Sequence, residues 1–298
     1  MEHTGPRGVI AAIATPIDPD GVPDYGRAVA LARLLLSHGC DGLNVLGTTG
    51  EATSFSRQQR EAVMNAYRDA GLPLGKLMVG TGAAAVADAV ALTRHAAELG
   101  FGGALLLPPF YYKGVPEDGL FAYVERIVTA TATVPVPLYL YHNPSLTGVG
   151  WRVELVRRLL DAFGTRLRGL KDASGDLDYA RSIASIAHGF DVFPTSEVAL
   201  LEAREGRFAG CISATANLNA DLCARAYHGG DAAALDQAMT IRNLFEGRPL
   251  VAGIKAMLAY CLGDPAWNRV LPPLSPFTAT DRAAVISGYD AVRSLRVA

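Results

Sequence analysis

The sequence predicts an α/β protein built as a closed (β/α)8 barrel with a C-terminal three-helix extension. Short apolar runs, each closed by a Gly, a Pro or a small polar residue, alternate with amphipathic stretches of ten to fifteen residues, and eight such units follow one another without a break. The first apolar run ends in Ala14-Thr15-Pro16, where a doubly wound open sheet would carry a glycine fingerprint. Eight strands and eight helices in strict alternation fit a closed barrel.

The elements follow in order. Val9–Ala14 reads as the first strand, and Tyr25–His38 as a helix that Asp24 is placed to cap and Gly39 to end. Leu43–Leu46 precedes the helix Arg57–Ala70, bounded by Ser56 and Gly71; Leu77–Val79 precedes Val86–Leu99, closed by Gly100. Ala104–Leu107 leads to Asp118–Thr131, Pro137–Tyr141 to Val153–Ala162, and Leu167–Lys171 to Tyr179–Ala187, with Gly189 beyond it. Asp191–Phe193 with Val198–Glu205, then Cys211–Ser213 with Ala220–His228, complete the set. Apolar positions recur three and four apart in each helical stretch. Ala232–Phe245, Leu250–Leu262 and Asp281–Val292 follow with no strand between them, which divides the chain into a catalytic barrel, 1–230, and a helical subdomain, 231–298. The Pro-rich stretch Leu271–Phe277 is too short and too apolar for a flexible linker and reads as an ordered connector.

Composition narrows the function. The 298 residues are 50% hydrophobic and 19% charged, enough for a large core, and 27 Lys+Arg against 29 Asp+Glu leave a net charge of −2. No long run of one sign occurs, so a charge-driven nucleic-acid or membrane partner has little support and small-molecule chemistry is favoured. No apolar stretch approaches the ~20 residues of a membrane helix, and Met1 to Gly8 is polar without a signal-peptide core, so a cytosolic protein is expected. Cys40, Cys211, Cys223 and Cys261 form no CxxC, and the histidines form no HxxxH or HExxH; reduced thiols and no metal are expected. Gly47-Thr48-Thr49-Gly50 is not a dinucleotide fingerprint, and Gly80-Thr81-Gly82 lacks the Lys-Ser/Thr of a phosphate loop.

In a barrel, reactive groups sit at the C-terminal ends of the strands. Four such ends are rich in polar side chains: Gly47-Thr48-Thr49-Gly50-Glu51, Pro108-Pro109-Phe110-Tyr111-Tyr112, Tyr139-Leu140-Tyr141-His142-Asn143-Pro144 and Gly169-Leu170-Lys171-Asp172. Lys171 is one of four lysines and follows an apolar strand. An amine enclosed there loses hydration, which favours the neutral, nucleophilic form of a Schiff-base lysine; the alternative is a structural ion pair. Asp172 is a poor partner because strand neighbours point to opposite faces. Tyr139 and Tyr141 share a face; packing accounts for Tyr139, while Tyr141, nearer the strand end and beside the Lys171 strand, can transfer a proton to the same substrate or simply pack. Thr48 and Thr49 can offer hydroxyls and amides to a carboxylate, or merely form a tight turn. Alternation points His142 away from Tyr141, towards a structural or peripheral role. Glu51 reads as a turn or helix-start carboxylate, and Glu197 follows the seventh strand where it can touch substrate hydroxyls.

Together, Gly47-Thr48-Thr49-Gly50-Glu51, Tyr141-His142-Asn143-Pro144 and Gly169-Leu170-Lys171-Asp172-Ala173-Ser174-Gly175 resemble the dihydrodipicolinate synthase/N-acetylneuraminate lyase family, from about Gly8 to Phe277, and Gly210-Cys211-Ile212-Ser213-Ala214-Thr215-Ala216-Asn217 looks like its eighth-strand segment. The resemblance implies a class I, pyruvate-type lyase in which Lys171 forms an imine with a 2-oxo acid, Tyr141 handles protons and no cofactor takes part. It implies that Thr49, beside Gly47, holds the pyruvate carboxylate and that Ile212 offers its backbone carbonyl near the substrate. Thr48 would link Tyr141 to a tyrosine from a neighbouring subunit, which matches Tyr112 best with Tyr111 the alternative, in a homotetramer built from dimers.

Three positions depart from the pattern. Synthases that make the lysine precursor carry an arginine where this chain has Leu146, and an aliphatic side chain cannot replace a bidentate guanidinium. Sialic-acid lyases carry a threonine in place of Ala173 and an aspartate in place of Ser196, which precedes Glu197. The sequence therefore points to an aldolase, or a dehydratase, for a 2-oxo-3-deoxy sugar acid or a 4-hydroxy-2-oxo acid, with pyruvate and an aldehyde as partners and Leu146, Ser196 and Glu197 near the substrate. The alternatives are 4-hydroxy-tetrahydrodipicolinate synthase using another arginine, Arg152 being near in sequence, and a non-catalytic 2-oxo acid sensor.

Overall fold

The computed structural model describes residues 5–294; residues 1–4 of the polar start and residues 295–298 of the helical extension lie outside it. Strands and helices alternate as β1 (Gly8–Ala12), α1 (Tyr25–Ser37), β2 (Gly42–Val45), α2 (Arg57–Asp69), β3 (Leu77–Gly80), α3 (Val86–Leu99), β4 (Gly103–Leu106) and α4 (Glu117–Ala130). The second half runs β5 (Leu138–His142), α5 (Pro144–Thr147), α6 (Val153–Phe163), β6 (Leu167–Asp172), α7 (Leu177–Ala184), β7 (Asp191–Pro194), α8 (Leu200–Arg204), β8 (Gly210–Ser213) and α9 (Ala216–Gly229). Three helices close the chain: α10 (Ala232–Asn243), α11 (Leu250–Leu262) and α12 (Ala279–Ser294).

All eight strands are parallel, in the order β7-β6-β5-β4-β3-β2-β1-β8. The seam between β7 and β8 is bridged by the Ala209 N–H, which donates to the Val192 carbonyl at 2.9 Å, so the sheet closes nearly completely into a (β/α)8 barrel. Ile10, Met78, Leu105, Tyr139, Phe193 and Ile212 fill its interior, while the opposite faces of the strands pack on the helices. That division follows from the two-residue period of a strand.

Local chemistry sets the helix ends. The Asp24 carboxylate accepts from Arg27 N, and Ser56 with Gln59 forms a reciprocal capping box at the start of α2. Gly100 ends α3 in a left-handed conformation, φ +84°. Two elements differ from the sequence expectation. The helix expected from Ala220 begins at Ala216 and bends at non-helical Asn219, because Asn217 spends its amide on the Ala12 and Ala214 carbonyls and the Ala14 N–H. The segment expected as Val198–Glu205 divides into a 3-10 turn, Glu197–Ala199, and the short α8.

β5 and β6 carry the feature that positions the site. Leu138 pairs with Leu167 but Tyr139 pairs with Gly169, so Arg168 is an extra residue in β6. Because side chains alternate, one extra residue exchanges the faces of everything after it. Beyond the bulge Tyr141 is registered with Lys171. The bulged Arg168 is held by its Nε–H on Asp191 of β7, at 2.8 Å.

The C-terminal helices share an apolar cluster with the barrel: Ala234, Ile241, Ile254, Met257 and Val285 pack with Val9, Leu43 and Leu222. They also make a polar attachment. Lys255 of α11, fully buried, pairs with the Glu51 carboxylate, whose other oxygen accepts from Leu271 N at 2.8 Å. Replacing Lys255 alone, in Lys255→Met, leaves a buried carboxylate without its counter-charge and is expected to cost about 3–5 kcal/mol in urea denaturation, most of it recovered when Glu51→Gln is added. A single-variant loss below about 1 kcal/mol would put this pair in the class of weak surface bridges.

Candidate active site

The second strand runs into a loop whose backbone is strained at both ends. Leu46 and Glu51 adopt positive φ, +53° and +52°, at roughly 1–2 kcal/mol each, and bracket Gly47-Thr48-Thr49-Gly50. Close approach fixes the first of these turns: a Cβ on Gly80 would lie 2.0 Å from the Leu46 carbonyl oxygen. Gly47 is equally constrained, since its Cβ would lie 2.7 Å from Asn44 Oδ1. The loop holds Thr49 buried and leaves Thr48 exposed over the barrel mouth.

Thr48 Oγ1 lies 3.0 Å from Tyr141 Oη. Asn143 Nδ2 donates to the same phenol oxygen at 3.1 Å, and Lys171 Nζ stands 4.4 Å above the Tyr141 ring centroid. Lys171 is 3% exposed and Tyr141 5%. Burial by itself raises the phenol's pKa, but the Lys171 charge and the hydrogen bonds from Thr48 and Asn143 outweigh it and hold Tyr141 below the ordinary tyrosine value. A buried amine and a phenol biased towards its ionised form thus sit side by side. Asn143 had no role in the sequence reading; its place two residues after Tyr141 in Tyr141-His142-Asn143-Pro144 was the available signal.

Above this group lies a cavity of about 260 Å³, lined by Gly47, Thr48, Tyr141, Asn143 and Leu146, a little smaller than the ~300–1,000 Å³ usual for small-molecule sites. Leu146, on α5, is 66% exposed at its edge. Lys113 Nζ donates to the Thr147 carbonyl at 2.6 Å and so ties the loop after β4 to α5. Tyr111 and Tyr112 on that loop are 75% and 72% exposed, their rings edge to face at 5.3 Å. Ile212 is buried, and its carbonyl accepts from Thr195 Oγ1 at 3.2 Å.

Several expected contacts lie elsewhere. Glu197, expected near substrate hydroxyls, is fully buried: its carboxylate accepts from Ser213 Oγ at 2.7 Å, from Thr215 and from Arg242 Nη1 at 3.1 Å, because the turn after β7 directs it between β8 and α10. Ser196 caps that turn and approaches Met239 Sδ at 3.8 Å, rather than lining the cavity. Arg152 is 77% exposed and 3.4 Å from Glu117, away from the cavity. Glu51 does stand at a helix start, but its side chain makes no cap and goes instead to Lys255. His142 keeps the structural role alternation gave it: Nδ1 accepts from Trp151 N at 3.0 Å, the ring stacks on Tyr179 at 4.2 Å, and burial, opposed by Asp176, pushes its pKa down to about 4. Asn44, missed in the sequence, is fully buried beneath Gly47 with neither amide atom hydrogen-bonded among the described residues. The cysteines are free thiols, no described helix is long and apolar enough to cross a membrane, and no three described His, Cys, Asp or Glu residues are grouped to hold a metal.

The sequence profile described as the Dihydrodipicolinate synthetase family matches residues 5–290. The chain belongs to this family. Across its length it is 34% identical to an uncharacterized DapA-like lyase of Chloroflexus aurantiacus, over 96% of this chain and 97% of that one. Among solved structures, dihydrodipicolinate synthase of Agrobacterium tumefaciens superposes with a TM-score of 0.90 at 28% identity, over 96% of this chain and 99% of that one. YagE of Escherichia coli K12, a family member solved in complex with pyruvate, superposes with a TM-score of 0.87 at 26% identity, over 96% and 98%. As a member, the protein is a class I aldolase-type carbon–carbon lyase.

The phenol's surroundings can be tested without substrate. Ultraviolet difference titration, referenced to Tyr141→Phe, is expected to find one tyrosine ionising below the ordinary value. Thr48→Val removes a hydrogen bond that favours the phenolate, so it is expected to move that titration to higher pH; no movement would mean that Thr48 does not act on Tyr141.

Proposed function

We propose that this family member makes or breaks the C3–C4 bond of a 2-oxo acid through an imine on Lys171, with pyruvate as product or substrate. The observation that carries the reading is the buried Lys171 amine beside a Tyr141 phenol pinned by Thr48 and Asn143. In the cleavage direction the neutral Lys171 amine adds to the C2 carbonyl, water leaves and a protonated imine remains. Tyr141, as phenolate, takes the C4 hydroxyl proton; the C3–C4 electron pair moves into the imine, giving an enamine and releasing an aldehyde. The proton held by Tyr141 passes to C3, and hydrolysis of the imine frees pyruvate. Nothing in this sequence calls for a cofactor, because the imine is the electron sink.

Leu146 at the cavity edge gives no charged group to a second carboxylate at that position, which supports a 2-oxo-3-deoxy sugar acid or another 4-hydroxy-2-oxo acid over aspartate semialdehyde. The second reading, 4-hydroxy-tetrahydrodipicolinate synthase, draws support from the likeness to the Agrobacterium synthase. In either reading the exposed Tyr112, with Tyr111 beside it, is offered to a neighbouring copy of the chain, whose own Thr48 would complete the proton relay, within a tetramer.

Borohydride reduction in the presence of pyruvate, followed by peptide mapping, is expected to leave a reduced pyruvyl adduct on Lys171 and none on Lys171→Ala. Tyr141→Phe is expected to lower kcat by about 10²–10⁴-fold while still trapping pyruvate. Folded, active protein that gives no adduct would overturn the mechanism, and selective turnover of pyruvate with aspartate semialdehyde would establish the second reading.

A further inference from the structure

Tyr141 is the last inward-facing residue of β5, and the sheet leaves its carbonyl without a partner. In the parallel pairing of β4 with β5, Ala104 N donates to the Pro137 carbonyl at 2.8 Å, and Leu106 is registered with Leu140. Donors on one edge of such a ladder recur every second residue, so the N–H of residue 108 would be next in line for the Tyr141 carbonyl. Residue 108 is Pro108, which has no N–H.

The missing donor comes from beyond the sheet. Trp151, just before α6, donates its indole Nε1–H to the Tyr141 carbonyl at 3.1 Å, and its backbone N–H to His142 Nδ1 at 3.0 Å. Both of the last two residues of β5 therefore hang on Trp151. Gly150 permits the approach, since a Cβ there would lie 2.9 Å from His142 Cε1. Trp151 is held in turn: it is fully buried, and Tyr179 of α7, whose ring stacks on His142, donates its hydroxyl to the Trp151 carbonyl.

The residues between are tied to one another. Thr147 Oγ1 donates to the Asn143 carbonyl at 2.9 Å and accepts from Val149 N at 3.2 Å. The contacts of Trp151 close this segment onto the strand it left, and the segment carries Asn143, whose amide holds the Tyr141 phenol. One indole thus fixes the main chain of Tyr141 and closes the loop that orients its side chain. Trp151 is not in the cavity wall, so it reaches a substrate only through these neighbours.

We propose that Trp151 is a positioning residue for proton transfer: through the Tyr141 carbonyl and the His142 ring it sets where the Tyr141 phenol stands relative to Thr48, Asn143 and Lys171. The inference rests on the Lys171 imine reading and names what fixes the geometry of its acid–base group. Pyruvate alone gives that group a measurable reaction. Tyr141, as phenolate, takes a proton from C3 of the protonated imine; the C–H electron pair moves towards the imine carbon and the enamine forms. Return of a deuteron from the phenol, exchanged in D2O, labels C3.

Trp151→Phe keeps a buried ring and removes the indole donor. At saturating pyruvate in D2O it is expected to slow deuterium incorporation at C3 by roughly 10–100-fold, as for a catalytic group displaced by about 1 Å, while borohydride still traps pyruvate on Lys171. Ultraviolet titration is expected to find the Tyr141 phenol ionising at higher pH than in wild-type protein, because it moves off the hydrogen bonds from Thr48 and Asn143. Tyr179→Phe, which releases the Trp151 carbonyl, is expected to shift both readouts the same way by less, and it decides the question where Trp151→Phe does not fold. Trp267→Phe, which removes a buried indole from the turn after α11, is expected to lower the urea midpoint and move neither. Unmoved titration and exchange in the folded variants overturn the proposal, whatever stability they lose. Wild-type protein that traps no pyruvate removes the imine reading itself, whereas a trapped adduct with both readouts unmoved in the variants removes only the role of Trp151.

Discussion

One extra residue in β6 decides which of its side chains face the barrel interior beside Tyr141. Without Arg168 in the bulge, the pairing of Leu138 with Leu167 would continue and bring Tyr141 opposite Leu170, leaving Lys171 on the helix-facing side of the sheet. With it, Lys171 and Tyr141 meet on the inner face. The ion pair from Arg168 to Asp191 holds the bulge against β7, and Arg7 Nη1 donates to the other Asp191 oxygen at 2.5 Å, fastening β1's approach to the same carboxylate. A register device at the N-terminal end of the barrel thus governs the geometry around Lys171 and Tyr141 at the opposite end.

A second constraint acts on the loop after β2. Leu46 and Glu51 are held in left-handed conformations that L-residues adopt at a cost, and something must hold the loop there. The sealed pair between Glu51 and Lys255, with Leu271 N on the second carboxylate oxygen, supplies that anchor from the C-terminal helices. A buried pair is a poor source of net stability, because desolvation consumes much of the attraction. Its value here is positional. The loop it fixes carries Thr48 to the Tyr141 phenol, and Pro273 and Leu274, just beyond Leu271, reach the cavity wall. The C-terminal extension is therefore part of the site as well as a cover for the barrel.

Much of this was legible in the chain. The alternation of apolar runs with amphipathic stretches is a local property that each unit repeats, so the strands and most helix ends could be read within a few residues. Lys171 and Tyr141 stood out because a lysine and a tyrosine at the ends of apolar strands have few structural reasons to be there, and alternation placed His142 on the opposite face. Glu197 misled because its position after a strand is the same whether it faces substrate or Arg242. Lys255 gave no signal at all: within its helix it reads as an ordinary cation.

The sequence by itself determined the barrel, its extension and the residue types at the strand ends, because periodicity, caps and turn residues act over a few positions of the chain. The tertiary structure alone decided the partnerships: Lys171 with Tyr141, Thr48 with the same phenol, and Glu51 with Lys255. Each depends on register, on a loop turned at positive φ or on packing between segments as far apart as Glu51 and Lys255, and the energies that select them, desolvation and charge pairing, arise only once the chain has excluded water.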